Sequence, residues 1–157
     1  MNALNQIRNL IFKYARAIDA GEFDSVGALF SRGKILLDPL NPDSAVAGET
    51  AVTALYEATT RKYEDGTPHT HHLTSNVEIV IEEEKASSIS YFTVLQSISD
   101  FNLQPIIAGK YHDTFALYED EWFFETRAIE VTLTGDLSNH LLIDLPEISN
   151  TNLPLPN

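Results

Sequence analysis

Apolar residues recur at steps of three and four through the first part of the chain, and on alternate positions through the rest. Leu4, Ile7, Leu10, Ile11, Tyr14 and Ile18 form one stripe, as a helix of 3.6 residues per turn requires. Gly21 follows the stripe and predicts the helix end, since glycine readily takes the left-handed conformation that closes a last turn. Phe23, Val26, Leu29 and Phe30 predict a short second helix, and residues 34–38 a short strand. Pro39 and Pro42 then break the chain, because each lacks a backbone donor and restrains its neighbour. Val52, Leu55, Tyr56 and Thr59 predict a further helix over residues 49–63. Asp65-Gly66-Thr67-Pro68 has the composition of a turn.

Beyond that turn the period is two. Val77, Ile79 and Ile81 alternate within residues 71–82, and residues 87–97, 104–118 and 122–133 are strand-forming in composition. Turn signals fall at residues 83–85, 99–102 and 119–121, and such short connections predict an antiparallel meander. Helices first and strands second predict an α+β domain over residues 1–144. A strongly curved antiparallel sheet would wrap the N-terminal helices and leave a small-molecule cavity between the layers. Residues 145–157 contain three prolines and no period, and are expected to form a C-terminal tail.

Charge narrows the partners. The net charge of −13 over 157 residues argues against nucleic acid and against an anionic membrane surface, both of which need clustered Lys and Arg. The absence of cysteine removes thiol nucleophiles, thiolate metal sites, iron–sulfur clusters and disulfides together. No segment approaches the ~20 apolar residues of a membrane span, and the first residues lack the basic-then-apolar pattern of a signal peptide. A cytoplasmic location is expected.

The chemistry concentrates at His69, His71 and His72. Strict alternation puts His72, Thr74, Asn76 and Glu78 on one face of a strand, and His71, Leu73, Ser75, Val77 and Ile79 on the other. His69 and His71 could offer two metal ligands, with His112 a further candidate, but no third ligand is identifiable, so no metal site is expected. Tyr14, Tyr91 and Tyr111 are either aromatic core or hydroxyl donors to a developing oxyanion. Tyr111 shares a face with Asp113 and Phe115, opposite Lys110, His112 and Thr114, and the pattern leaves open which face is inward. Arg127 stands among apolar residues and must be paired or reach solvent. It would form a structural ion pair or anchor an anionic group of a substrate. Residues 135–140 read as a turn followed by a short helical cap with a structural role. No phosphate-binding glycine loop, nucleophile elbow or zinc-protease motif is present, and no cofactor is expected.

Several stretches resemble the nuclear transport factor 2-like superfamily, and within it the SnoaL-like, scytalone dehydratase-like branch. They are residues 14–24 with Ala28-Leu29-Phe30, Gly48 before the next helix, His72-Leu73-Thr74-Ser75-Asn76, residues 109–115 and residues 122–127. The resemblance implies a cone-shaped half-barrel of cystatin-like fold, enclosing a pocket and usually homodimeric. The superfamily includes scytalone dehydratase, a dehydrochlorinase, steroid isomerases, polyketide cyclases and limonene epoxide hydrolase, besides non-enzymatic members. In the dehydratase and dehydrochlorinase an Asp of the first helix orients a His of this strand, and Asp19 and His72 match those positions. The paired Tyr and protonated Asp of ketosteroid isomerase have no convincing counterpart.

Together these readings predict a small, mostly apolar organic ligand, a homodimer, and cofactor-free lyase or isomerase chemistry with Asp19 and His72 as catalytic residues. Tyr14, Asn76, Tyr111 and Arg127 are the candidate substrate-binding residues. The alternatives are a non-catalytic binding or dimerisation module of the same fold, and the small subunit of a ring-hydroxylating oxygenase.

Overall fold

Helix α1 (Ala3–Asp19) forms where the apolar stripe predicts it, in a computed structural model that describes residues 2–143. Asn2 caps it, accepting from the Asn5 amide at 2.9 Å, and Ile7, Ile11, Tyr14 and Ile18 are buried. Gly21 adopts φ 71°, and a Cβ there would stand 2.0 Å from the Gly66 carbonyl oxygen. Glycine therefore lets the end of α1 press directly against the loop that leads into the sheet. Helices α2 (Phe23–Leu29) and α3 (Glu49–Thr59) complete the helical layer. α3 stops short of the expected residue 63. Thr60 turns to an extended conformation (φ −109°, ψ 124°) and forms a β-bridge with Leu141.

Six strands form one sheet: β1 (Lys34–Leu36), β2 (Ala45–Ala47), β3 (Thr70–Glu82), β4 (Lys85–Ile98), β5 (Phe101–Tyr118) and β6 (Glu121–Thr134). Their order is β2-β1-β6-β5-β4-β3. β3 to β6 are the expected antiparallel meander, whereas β1 runs parallel to β6. The predicted turn at 99–102 is shorter than expected, since Phe101 already pairs with Ile98. β2 follows a 3₁₀ turn at Pro42–Ser44, and three residues are too few to show a period. The α+β architecture is thus the expected one, a curved, unclosed sheet around the N-terminal helices. The tail beginning at residue 145 lies outside the described residues.

One irregularity changes the reading of β3. Asn76 takes φ 52°, and the β3–β4 register slips between Ser75 and Glu78. An extra residue in one strand moves everything beyond it to the opposite face. His72 and Thr74 are partly buried before the bulge, and Val77 and Ile79 after it, while Asn76 and Glu78 are exposed. The strict alternation that grouped Asn76 with His72 and set Val77 and Ile79 apart is therefore corrected. Asn is among the few side chains that tolerate the left-handed conformation such a bulge needs.

Candidate active site

A cavity of about 160 Å³ lies between the concave face of the sheet and the helices. Ile18, Leu55, Phe92, Val94, Ile129 and Val131 supply much of an apolar wall. The polar groups that reach it are few: Tyr14, Tyr56, Thr59, Thr60, His72, Tyr111 and His140. An apolar hollow with a handful of convergent polar groups is the usual form of a small-molecule site.

Asp19 is the last residue of α1, where the helix dipole disfavours a negative charge. Its carboxylate is held instead by the facing end of β3. Asp19 Oδ1 accepts from the Thr70 hydroxyl at 2.8 Å and lies 2.6 Å from His72 Nδ1. Asp19 Oδ2 accepts from the His72 backbone amide at 2.8 Å. The His72 side chain is 7% exposed and that of Asp19 22%. Burial acts to raise the Asp19 carboxyl, but hydrogen bonds from His72, its charge and the Thr70 hydroxyl outweigh it and hold the group below the ordinary carboxylate value. An ionised Asp19 favours the proton on His72 Nδ1, so Nε2 is the imidazole nitrogen free to exchange a proton with a ligand. His72 lines the cavity; Asp19 stands behind it, outside the lining.

The tyrosines form a second group. Tyr14 and Tyr56 hydrogen-bond through their hydroxyls. Tyr111 stacks on Phe92 with ring centroids 4.4 Å apart and meets Tyr14 edge-on at 5.7 Å. Burial pushes Tyr56 and Tyr111 well above the usual phenol value, and it raises Tyr14 against the opposing pull of Arg127. All three phenols are therefore protonated at neutral pH. Tyr91 is on the other side of the sheet, 46% exposed, with Lys110 over its ring.

Arg127 does not reach the cavity. It is fully buried and bidentate to Asp113, which faces it across the β5–β6 ladder: Nε to Oδ1 at 2.8 Å and Nη2 to Oδ2 at 2.7 Å. Its guanidinium packs 4.1 Å from the Tyr14 ring centroid and 4.0 Å from that of Tyr111. Of the two roles expected of Arg127, the structure has the ion pair and not the anion anchor among the substrate-binding residues; the pair is sealed behind the tyrosines and acts on the cavity only through them. Asn76 is likewise outside the lining, turned to solvent by the bulge. Tyr14 and Tyr111 are the two expected ligand-binding residues that line the cavity. His69 pairs with Asp65 at 2.9 Å and His71 is exposed. Among the described residues no group of three His, Asp or Glu side chains could hold a metal ion, and no helix is long and apolar enough to cross a membrane.

Sequence reasoning missed four polar wall residues: Tyr56, Thr59, Thr60 and His140. Tyr56 marks the helical period of α3, and its hydroxyl becomes visible as a site group only once Tyr14 meets it. His140 was expected to be structural. It lies instead in a strap that crosses to α3 and the loop after it. Arg61 N–H donates to the His140 carbonyl at 2.8 Å, and Leu142 N–H to that of Thr59 at 2.9 Å. The Asn139 carbonyl accepts from the Tyr63 hydroxyl at 2.6 Å and from Gln96 Nε2 at 3.0 Å. The expected helical cap is a turn of residues 138–140. No local period betrays such a strap, since its bonds run to residues far away in sequence.

The model of the SnoaL-like domain family matches residues 1–128. No functionally curated protein matches the chain in sequence. Among solved structures, a candidate scytalone dehydratase from Novosphingobium aromaticivorans is 22% identical, with a TM-score of 0.65 over 85% of this chain and 86% of that one. An NTF2-like protein with a cystatin-like fold from the same organism is 16% identical, with a TM-score of 0.68 over 87% and 85%. The β subunit of a candidate aromatic-ring-hydroxylating dioxygenase, again from that organism, is 20% identical, with a TM-score of 0.66 over 90% and 97%. At these identities the structural likeness is one of fold. With the family model spanning most of its length, the chain belongs to the SnoaL-like family.

Proposed function

We propose that the cavity binds a small, mostly apolar molecule and that His72, oriented by Asp19, moves a proton on it without a cofactor. The observation that carries this reading is the 2.6 Å contact between Asp19 Oδ1 and His72 Nδ1, with His72 in the cavity wall. Asp19 fixes the tautomer and stabilises the imidazolium that forms once Nε2 has taken a proton. Tyr14 and Tyr56 spend one hydroxyl proton on their mutual bond, so Tyr111 and one of that pair can donate to an oxygen that gains negative charge. A base and hydroxyl donors lining one apolar hollow suit proton abstraction beside a carbonyl, and so an isomerase or a lyase. Similarity to a candidate scytalone dehydratase supports the lyase form by analogy of fold.

The test uses 2-tetralone, a compact bicyclic ketone with acidic α-hydrogens. In D2O the protein should accelerate exchange of those hydrogens, followed by NMR. Asp19→Asn should lower the catalysed rate by about 10²-fold, the ordinary worth of a positioned acid–base group. Equal rates for the two proteins, or no acceleration by the unmodified chain, would sink the dyad reading. A homodimer is part of the same proposal, supported by apolar side chains such as Leu73 and Tyr91 exposed on the outer face of the sheet. Light scattering at micromolar concentration tests it, and a monomer mass would refute it.

A further inference from the structure

His140 is 8% exposed and lines the cavity, and its Nδ1 is buried without a hydrogen-bond partner. A buried N–H left unpaired is rarer in proteins than a buried lone pair. The geometry therefore assigns the imidazole proton to Nε2, leaving Nδ1 as the bare nitrogen. Burial drives the imidazole down to about 4, His72 adds to that, and Asp19 partly offsets it. His140 is therefore neutral at physiological pH. The strap bonds from Arg61, Tyr63, Gln96 and Leu142 hold the adjoining backbone in place, so the ring is presented on a fixed support.

We propose that His140 is a ligand-binding residue whose Nε2–H donates to an acceptor oxygen of the bound molecule, which makes the cavity selective for small apolar carbonyl compounds over hydrocarbons of the same shape. Among the described residues no partner takes the Nε2–H, and a donor left open in an apolar wall weakens the fold. Such a group is expected where a ligand completes its hydrogen bonding. It donates and remains neutral, whereas His72, backed by a carboxylate, accepts: two imidazoles of one cavity are set to opposite tasks by their surroundings.

The inference rests on the reading of the cavity as a substrate site, and binding can be measured apart from turnover. Affinities for 2-tetralone and for its hydrocarbon counterpart tetralin should be compared in the unmodified chain, His140→Phe and His140→Gln. His140→Phe should weaken 2-tetralone roughly five- to tenfold, one neutral hydrogen bond's worth. His140→Gln, whose amide nitrogen can stand where Nε2 stood, should restore most of that loss, and tetralin should bind all three alike. In the unmodified chain 2-tetralone, but not tetralin, should shift the His140 Nε2 resonance in a long-range ¹H–¹⁵N spectrum. This readout serves even if His140→Phe fails to fold. Equal binding of 2-tetralone by His140→Phe, an unmoved Nε2 resonance, or a ketone that does not bind would overturn the proposal. Loss of α-exchange in Asp19→Asn with the ketone preference intact would leave His140 standing. A lost preference with exchange still dependent on Asp19 would remove His140 and spare the dyad.

Discussion

Two carboxylates in this molecule each hold a basic side chain across two elements, and they differ in what surrounds them. Asp113 and Arg127 are both wholly buried, bidentate, and roofed by Tyr14, Tyr111 and Phe124. Asp19 and His72 are tied just as closely, but one edge of His72 opens on the cavity. In the sealed pair Asp113 takes Nε and Nη2 of Arg127, Nη1 is buried without a partner, and burial makes separating the charges costly. In the open pair the same electrostatics act on a ring in the cavity wall, as the proposed proton transfer requires. The chemistry of a pair does not by itself reveal whether it serves stability or reaction. Access does.

The sharpest way to break this contrast is to strand the sealed cation. Asp113→Ala should cost about 3–5 kcal/mol in urea unfolding, because it leaves Arg127 charged and buried without its partner. The double variant Asp113→Leu with Arg127→Met should recover most of that loss. A small effect of the single change would mean that water reaches the pair and the contrast fails.

The next effect is on pH. His140 titrates at about 4 in the folded chain and near 6.5 when unfolded. Between those values the unfolded chain binds a proton that the folded one does not, so stability falls as pH falls through this window. The expected loss is on the order of 3 kcal/mol over the full range. His140→Phe should flatten this part of the stability curve, and an unchanged slope would show that the ring is solvated. Asp19, held below its ordinary value, contributes stability that is complete above its unfolded pKa and is lost as pH falls through the lower folded one.

Asp19→Asn sharpens the comparison from the open side. It should cost only about 1–2 kcal/mol of stability, the worth of charge-assisted bonds at a partly wetted site, while the catalysed exchange falls far more steeply. A loss as large as that of Asp113→Ala would make the open pair as structural as the sealed one. The smallest effect belongs to Asn76→Ala. It should destabilise by about 1 kcal/mol, the left-handed penalty for a residue without a polar side chain, and leave ligand affinity untouched.

The helices and the meander were legible because their apolar residues repeat with the period of the backbone that carries them, as Ile7, Ile11 and Ile18 do. The contact of Asp19 with His72 was legible only through resemblance to a family, since the two lie 53 positions apart and no local pattern joins them. Arg127 was recognisable as a residue that had to be paired, but its partner depended on the β5–β6 register. Asn76 misled because a bulge obeys pairing geometry and leaves the alternation of side chains intact in the sequence. His140 escaped because its place is set by its backbone bonds with Arg61 and Leu137, and by that of Leu142 with Thr59, rather than by its neighbours' hydropathy.

β3 is the last strand of the sheet, paired only with β4. The main-chain amide of His72, on the side away from β4, is spent on the Asp19 carboxylate. An unpaired strand margin invites other chains to add to it and is a starting point for aggregation. At this point the margin is occupied by a negatively charged group from a helix. An incoming strand would have to displace Asp19 before it could bond here, and in doing so would part it from His72. The carboxylate proposed to prime a base is therefore also a guard on an open border, and self-association through that border would exclude the proposed activity in the cavity.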